Sequence, residues 1–172
     1  MPLQRLSHVD QQWFLKSQSA LQHPGWSRAA RWLSRSGDGP LYVAFGVLCL
    51  VLGAAPLREF AVDLLLGLAI EVPLYVLLKQ ACRRQRPAMA LPGVVAAIQP
   101  ADRFSLPSGH TAAAFVVLTL VVAHAGWPGL LLLPWALAVG ASRVILRVHF
   151  PGDVLAGALL GMLVALAVAT VA

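Results

Sequence analysis

The residues of this sequence best suited to chemistry are two histidines, several cations and one carboxylate, and they lie in three short segments. In chain order they are Lys79, Arg86, Ser108, Gly109, His110, Arg143, His149 and Asp153. Arginine contacts phosphate oxygens in pairs, and lysine adds a point charge. Two imidazoles among such cations predict a site that binds phosphate and transfers a phosphoryl group.

The first segment carries two cations at a helical spacing. Lys79 and Arg86 are seven residues apart, about two turns, so both would point to one side of a continuous helix. Pro87 disfavours helical geometry at the residue before it. We therefore expect the helix to end before Arg86.

The other two segments predict helix starts. Ser108 is a good N-cap, Gly109 lets the backbone approach a ligand, and the free N–H groups there attract an anion. Pro151 suits the first position of the next helix, and from the first turn Asp153 can reach back to His149. A histidine held by a carboxylate on one ring nitrogen presents the other as a nucleophile or base.

Metal and cofactor motifs are missing from the sequence. We find no carboxylate cluster suited to magnesium, no Walker loop and no zinc-ligand spacing, and the two cysteines form no pattern. We therefore expect no metal and no cofactor. Fixed cations would neutralise the charge on the transferring group.

The composition indicates what must position these residues. Hydrophobic residues make up 59% of the 172 and charged residues only 12%, with a mean hydropathy of +0.76, whereas soluble domains carry about 25% charged residues. A soluble globule is therefore excluded as the default. The net charge of +6 is not concentrated in one run, so we expect membrane flanks or an anionic substrate and no nucleic acid.

Five apolar segments predict an all-α, polytopic membrane helix bundle. They are 41–57, 60–78, the two halves of 111–141 on either side of a turn at 126–129, and 154–172. We expect one domain over 1–172, with a bundle over 40–172 and an amphipathic segment over 1–39. That segment mixes basic residues and tryptophans, which suits either a helix in the headgroup layer or a polar cap on the bundle. Because the first 39 residues are polar throughout, we expect no cleavable signal peptide.

Alternating helix direction places the three segments at one end of the bundle.

The other charged residues receive structural interpretations. We interpret Arg83, Arg84 and Arg103 as topology anchors, and Asp63 and Glu71 as structurally paired acids. In the last helix, Gly157 and Gly161 have the spacing that allows close helix packing.

Together the three segments resemble the signature of the type 2 phosphatidic acid phosphatase superfamily, in its membrane branch. The matching residues are Lys79-x6-Arg86-Pro87, Pro107-Ser108-Gly109-His110 and Ser142-Arg143-x5-His149-x3-Asp153. The resemblance implies that His149 attacks phosphorus, that Asp153 supports His149, and that His110 is the general acid and then the base. It also implies that phosphate oxygens bind to Lys79, Arg86, Ser108, Gly109 and Arg143.

The resulting hypothesis is a metal-independent phosphatase in the bacterial inner membrane that acts on a lipid phosphate in the bilayer. Undecaprenyl diphosphate is the first substrate expected, with phosphatidylglycerol phosphate and phosphatidate as alternatives. A vanadate-dependent haloperoxidase and a non-catalytic lipid-phosphate binding or transport protein remain as rivals. The oligomeric state is left open.

The charge distribution and the family resemblance predict opposite membrane orientations. Outside the signature, basic residues concentrate at the end of the bundle that carries the site, which favours a cytoplasmic site. The family resemblance favours the extracytoplasmic leaflet, and we expect the latter.

Overall fold

The structure, a computed structural model, describes residues 2–20 and 24–170, and the side chains of residues 8–18 and 25–170. The basic Arg5 of the amphipathic segment lies outside the described side chains. The helices, in chain order, are α1 (Pro2–Ala20), α2 (Pro24–Ser36), α3 (Gly39–Leu52), α4 (Ala55–Cys82), α5 (Pro87–Ala90), α6 (Gly109–Ala125), a 3₁₀ helix (Trp127–Leu132), α7 (Leu133–Ile145) and α8 (Pro151–Ala169). Because the described residues contain no strand, the all-α prediction is confirmed.

Helices suited to crossing a membrane are present, although fewer than the five predicted pass by length and composition. Within the described residues, Ala55–Ala90, Trp127–Ile145 and Pro151–Ala169 qualify. A fourth span results if α2 and α3, bent by 41°, cross together. Helix α6 has 17 residues, which gives about 26 Å against a hydrocarbon core of about 30 Å.

Several helix boundaries differ from the prediction. The helix expected over 41–57 already ends at Leu52, because Gly53 adopts an extended backbone. Helix α4 then begins at Ala55 with Pro56 in its first turn, and it continues to Cys82. The turn predicted at 126–129 consists of Gly126 and the first residues of the 3₁₀ helix.

Helix α6 is the central element of the bundle. Its residues from Thr111 to Leu118 are all buried, and it packs against α4, α7 and α8. Gly157 and Gly161 face the backbone carbonyls of Ser108 and Ala112, where a Cβ atom would overlap them. The predicted close packing is therefore confirmed, and it brings the N-terminal ends of α6 and α8 together.

The N-terminal helices cover the end of the bundle that carries the site. Phe14 of α1 is fully buried and packs with Val144 and Phe150. Ala30 of α2 is buried beside Leu146. The tryptophans of these helices remain exposed, so the segment caps the bundle while presenting aromatic side chains outward.

Candidate active site

One cavity of about 660 Å³ lies at the capped end of the bundle. Six of the eight predicted site residues line it: Lys79, Arg86, Gly109, His110, Arg143 and His149. The end of α4, the residue before α5, the start of α6, the end of α7 and the residues just before α8 supply them. Residues that are up to 70 positions apart in sequence therefore surround one space, as the alternating helix directions predict.

His149 is the more deeply buried of the two histidines that line the cavity, with 2% of its surface exposed. Its Nε2 lies 3.3 Å from Nη1 of Arg86, and its Nδ1 lies 3.6 Å from Oδ2 of Asp153. Burial lowers the pKa of His149 to about 4, helped by the charges of Arg86 and Arg143 and opposed by Asp153. The ring is therefore neutral at neutral pH, which is the form that can act as a nucleophile.

Asp153 is held by several partners besides His149. Its Oδ2 accepts hydrogen bonds from the backbone N–H of Phe150, at 2.8 Å, and from the hydroxyl of Ser105. Its Oδ1 accepts one from Nη1 of Arg84 at 2.8 Å. The predicted reach toward His149 is present, but 3.6 Å is an ion-pair separation and is longer than a hydrogen bond.

Arg84 corrects one prediction, since it is part of the site and not a topology anchor. Its guanidinium bonds Asp153 and, through Nη2, Asp10 of α1 at 2.6 Å. It also stacks over the Phe150 ring at 4.4 Å. Because the other oxygen of Asp10 accepts the N–H of Gly152 at 2.8 Å, α1 is tied directly to the start of α8.

Lys79 and Arg86, the two cations of the first segment, bind the same carboxylate, which the sequence analysis missed. Helix α4 ends at Cys82 and Arg86 has an extended backbone, as Pro87 predicts. Asp102, from the loop before α6, accepts from Lys79 at 2.6 Å and from Arg86 at 2.8 Å. Partial burial opposes ionisation of Asp102, but the bonds and charges of the two cations outweigh it and lower its pKa.

Arg143 retains an unused donor. Its Nη1 bonds the hydroxyl of Ser34 in α2, whereas its buried Nε has no hydrogen-bond partner within the described part of the chain. Since a buried guanidinium N–H requires an acceptor, this donor fits a phosphate oxygen in the cavity.

Ser108 and Gly109 differ in their placement. Gly109 lines the cavity. The hydroxyl of Ser108 accepts from Thr111 at 2.9 Å and makes no capping bond, and its N–H bonds the carbonyl of Asp153 at 3.0 Å. Ser108 thus joins α6 to α8, and no contact of its side chain supports the predicted phosphate-binding role.

His110 pairs with a second carboxylate that the sequence analysis missed. Its Nε2 lies 2.8 Å from Oδ1 of Asp38, in the short connection between α2 and α3. Asp38 and Asp102 come from connections that carry no motif. The sequence offered only an indirect signal. Because cations are in excess at the capped end, an acid at that end is expected to lie near one of them. Among the described residues, no group of three His, Cys, Asp or Glu is placed to hold a metal ion.

The chain is similar to known proteins over most of its length. A model described as the PAP2 superfamily matches residues 60–172, a range that contains all eight predicted site residues. The chain is 33% identical over 151 residues to the probable lipid phosphate phosphatase beta of Arabidopsis thaliana, covering 72% of this chain and 70% of the relative.

Two solved structures share the fold. The Aquifex aeolicus LpxE structure superposes with a TM-score of 0.80 at 25% identity, over 92% of this chain and 93% of that chain. A transmembrane PAP2-type phosphatidylglycerolphosphate phosphatase from Bacillus subtilis superposes with a TM-score of 0.75, also at 25% identity, over 97% and 86%.

Proposed function

The chain belongs to the PAP2 superfamily, and on that premise we propose that it releases the terminal phosphate of a membrane lipid through a phosphohistidine intermediate. The single observation that carries the proposal is the shared cavity. His149, His110 and three cations line it together, at the end of an apolar helix bundle.

The first half-reaction transfers the phosphoryl group to His149. A proton on Nδ1, facing Asp153, leaves the lone pair of Nε2 free to attack phosphorus. The bond from phosphorus to the lipid oxygen breaks as the new P–N bond forms, and the protonated His110 ring, paired with Asp38, donates its proton to the leaving oxygen. Lys79, Arg86 and Arg143 neutralise the phosphoryl oxygens during the transfer.

The second half-reaction returns the enzyme to its starting state. Water attacks the phosphohistidine, His110 accepts its proton, and the P–N bond breaks to release orthophosphate. Asp38, at 2.8 Å from His110, holds that ring in one orientation through both steps.

The cavity also provides a route for the lipid. Below the cations it continues between α3 and α4, where Val43 and Val72 line it and are 44% and 46% exposed on the apolar surface. A tail can pass between these helices into the bilayer while its phosphate reaches His149. We expect this gap to be the lateral opening that a lipid substrate requires.

Undecaprenyl diphosphate is the first substrate to test, as the sequence predicts. Phosphatidylglycerol phosphate is the second, because the Bacillus subtilis neighbour carries that substrate in its name, and phosphatidate is the third. We assign the protein to the bacterial inner membrane with the cavity on the extracytoplasmic face.

The test is phosphate release from these lipids by the purified protein in the presence of a chelator. We expect release without added metal, loss of at least about a thousandfold in His149→Ala, and retained activity in His124→Ala, a histidine at the opposite end of α6. Wild-type phosphate release preserved in His149→Ala would contradict the mechanism. Binding without release would support a transport protein, and vanadate-dependent halide oxidation would support a haloperoxidase.

A further inference from the structure

Helix α4 carries two buried acids, and they differ in what surrounds them. Asp63 bonds Nε2 of His124 at 2.8 Å near the end of the bundle remote from the site. Glu71 is 1% exposed, and its Oε1 has no hydrogen-bond partner in the described part of the chain. Structural pairing, predicted for both acids, therefore holds for Asp63 alone.

Glu71 lines the active-site cavity. It lies on the stretch of wall between α3 and α4, together with Leu68, Val72 and Val43. A buried polar group without a partner is unfavourable, and an ionisable residue at membrane depth marks a substrate path more often than a structural contact. The missing partner should therefore be a group of the substrate.

The position of Glu71 along α4 indicates which group that is. Its Cα lies about 12 Å from that of Lys79 along the helix axis, because each residue adds 1.5 Å. Helical side chains lean toward the N-terminus, and Nζ of Lys79 accordingly lies 5.2 Å from the centre of the Tyr75 ring, one turn nearer to Glu71. A lipid whose phosphate contacts Lys79 therefore brings the group that bears the phosphate close to Glu71.

A hydroxyl is the partner that suits a carboxyl group at this point. It donates to a carboxylate and accepts from a carboxylic acid, so it satisfies Glu71 in either protonation state. The cavity residues beside Glu71 are apolar except for Tyr75, so they offer no positive charge to a more highly charged group.

We propose that Glu71 is a specificity-determining residue that hydrogen-bonds a hydroxyl on the group between the terminal phosphate and the lipid tail. The substrate class is thus a lipid phosphate with a free hydroxyl beside its phosphate ester, as in a glycerol- or sugar-phosphate headgroup. Among the three candidate substrates this favours phosphatidylglycerol phosphate, because undecaprenyl diphosphate and phosphatidate carry no such hydroxyl. The inference rests on the proposed function only in taking the cavity as the lipid site.

The test compares two phosphonate analogues that cannot be hydrolysed. One is a monoacylglycerol phosphonate with a free hydroxyl at the middle carbon, and the other lacks only that hydroxyl. Binding to the purified full chain in detergent is measured by calorimetry. We expect the wild type to bind the hydroxyl analogue at least about tenfold more tightly.

Three variants separate recognition from structure. We expect Glu71→Leu to reduce the ratio of the two affinities to near one, and Glu71→Gln, which keeps a donor and an acceptor, to retain part of it. Asp63→Asn is the matched control, a buried acid of the same helix outside the cavity, and we expect the full ratio there.

Equal binding of both analogues by the wild type would overturn the inference without any variant. A ratio unchanged in Glu71→Leu would also overturn it, because Glu71 would then be structural. Since binding needs no turnover, a protein that distinguishes the analogues but releases no phosphate from any lipid would refute the proposed function and leave this inference intact.

Discussion

At the scale of single residues, the ring of His149 combines burial with two opposing charges. Asp153 favours its protonation, whereas burial and Arg86 disfavour it. Because burial is the largest of these effects, the neutral ring persists as pH falls toward about 4. The proposed nucleophile is thus unprotonated at neutral pH and becomes protonated only under acid conditions.

This balance predicts the outcome of a titration. In histidine-labelled protein, NMR should find the His149 ring uncharged at about pH 5.5, where an ordinary histidine is mostly protonated. Asp153→Asn removes an influence that raises the pKa, so the transition should move further toward acid. A ring that titrates near its ordinary value of 6.5 would contradict the assignment.

Asp102 predicts a change in anion affinity. Its carboxylate occupies donors of Lys79 and Arg86 that a phosphate would use, and its lowered pKa keeps it charged at neutral pH. Asp102→Asn should therefore bind orthovanadate about tenfold more tightly, measured by inhibition of phosphate release. Glu59→Gln, an exposed acid near the start of α4 and far from the site, controls for the loss of a negative charge. Weaker binding in Asp102→Asn would indicate that the carboxylate arranges the cations and does not compete for them.

The site residues divide by what a sequence can reveal about them. The histidines and cations were predictable because fixed spacing and helix starts tie them to local structure. Asp38, Asp102 and Asp10 were not, since each acts through a contact with a distant element. Arg84 was misinterpreted for the same reason: beside Arg83 and Arg86 its charge suits a membrane boundary, and only the fold brings Asp153 to it.

At the scale of elements, α1 is linked to His149, the proposed nucleophile, through Arg84 and Asp153. Asp10 holds both Gly152 and Arg84, and Arg84 holds Asp153. Asp10→Ala should lower kcat about tenfold with little change in KM, because small displacements of catalytic groups are costly while the phosphate ligands stay in place. Gln12→Ala, an exposed neighbour on the same helix, is the control. An unchanged kcat would show that α1 only covers the site.

The contact of α6 with α8 sets the relative placement of the two histidines. Gly161→Leu forces a side chain against the carbonyl of Ala112, so the unfolding temperature should fall by roughly 5 °C or more. Ala167→Leu adds similar bulk on the exposed face of α8 and should not produce this fall. Equal unfolding temperatures for Gly161→Leu and the wild type would show that α6 and α8 can move apart without loss of stability.

Hydropathy located the helices of the bundle but not all of their ends. Residues around Gly53 continue the apolar run of α3, and only the extended backbone at that glycine marks the break. Composition likewise assigned 1–39 to a separate segment, whereas α2 supplies Ser34 to Arg143 and the connection after it supplies Asp38 to His110. The residues that amphipathic helices of this kind contact can be identified only in the folded structure.

At the scale of the whole molecule, the bundle has two chemically different ends. The cavity, the N-terminal helices and the basic residues with described side chains other than Arg58 occupy one end. The other holds the Asp63–His124 pair and the end of α8. The excess of basic residues at the first end favours the cytoplasm, in conflict with the extracytoplasmic site proposed above, so orientation needs a direct measurement.

The native cysteines allow that measurement with little change to the protein. Cys82 is exposed at the end of α4 nearest the cavity, whereas Cys49 is buried. With the cavity on the extracytoplasmic face, a membrane-impermeant maleimide should label Cys82 in intact cells and fail to label Cys82→Ser. In the Cys82→Ser background, Trp127→Cys places a thiol at an exposed position of the other end, where labelling should require permeabilised cells. The reverse pattern would place the cavity in the cytoplasm, and the basic residues would then have determined the orientation.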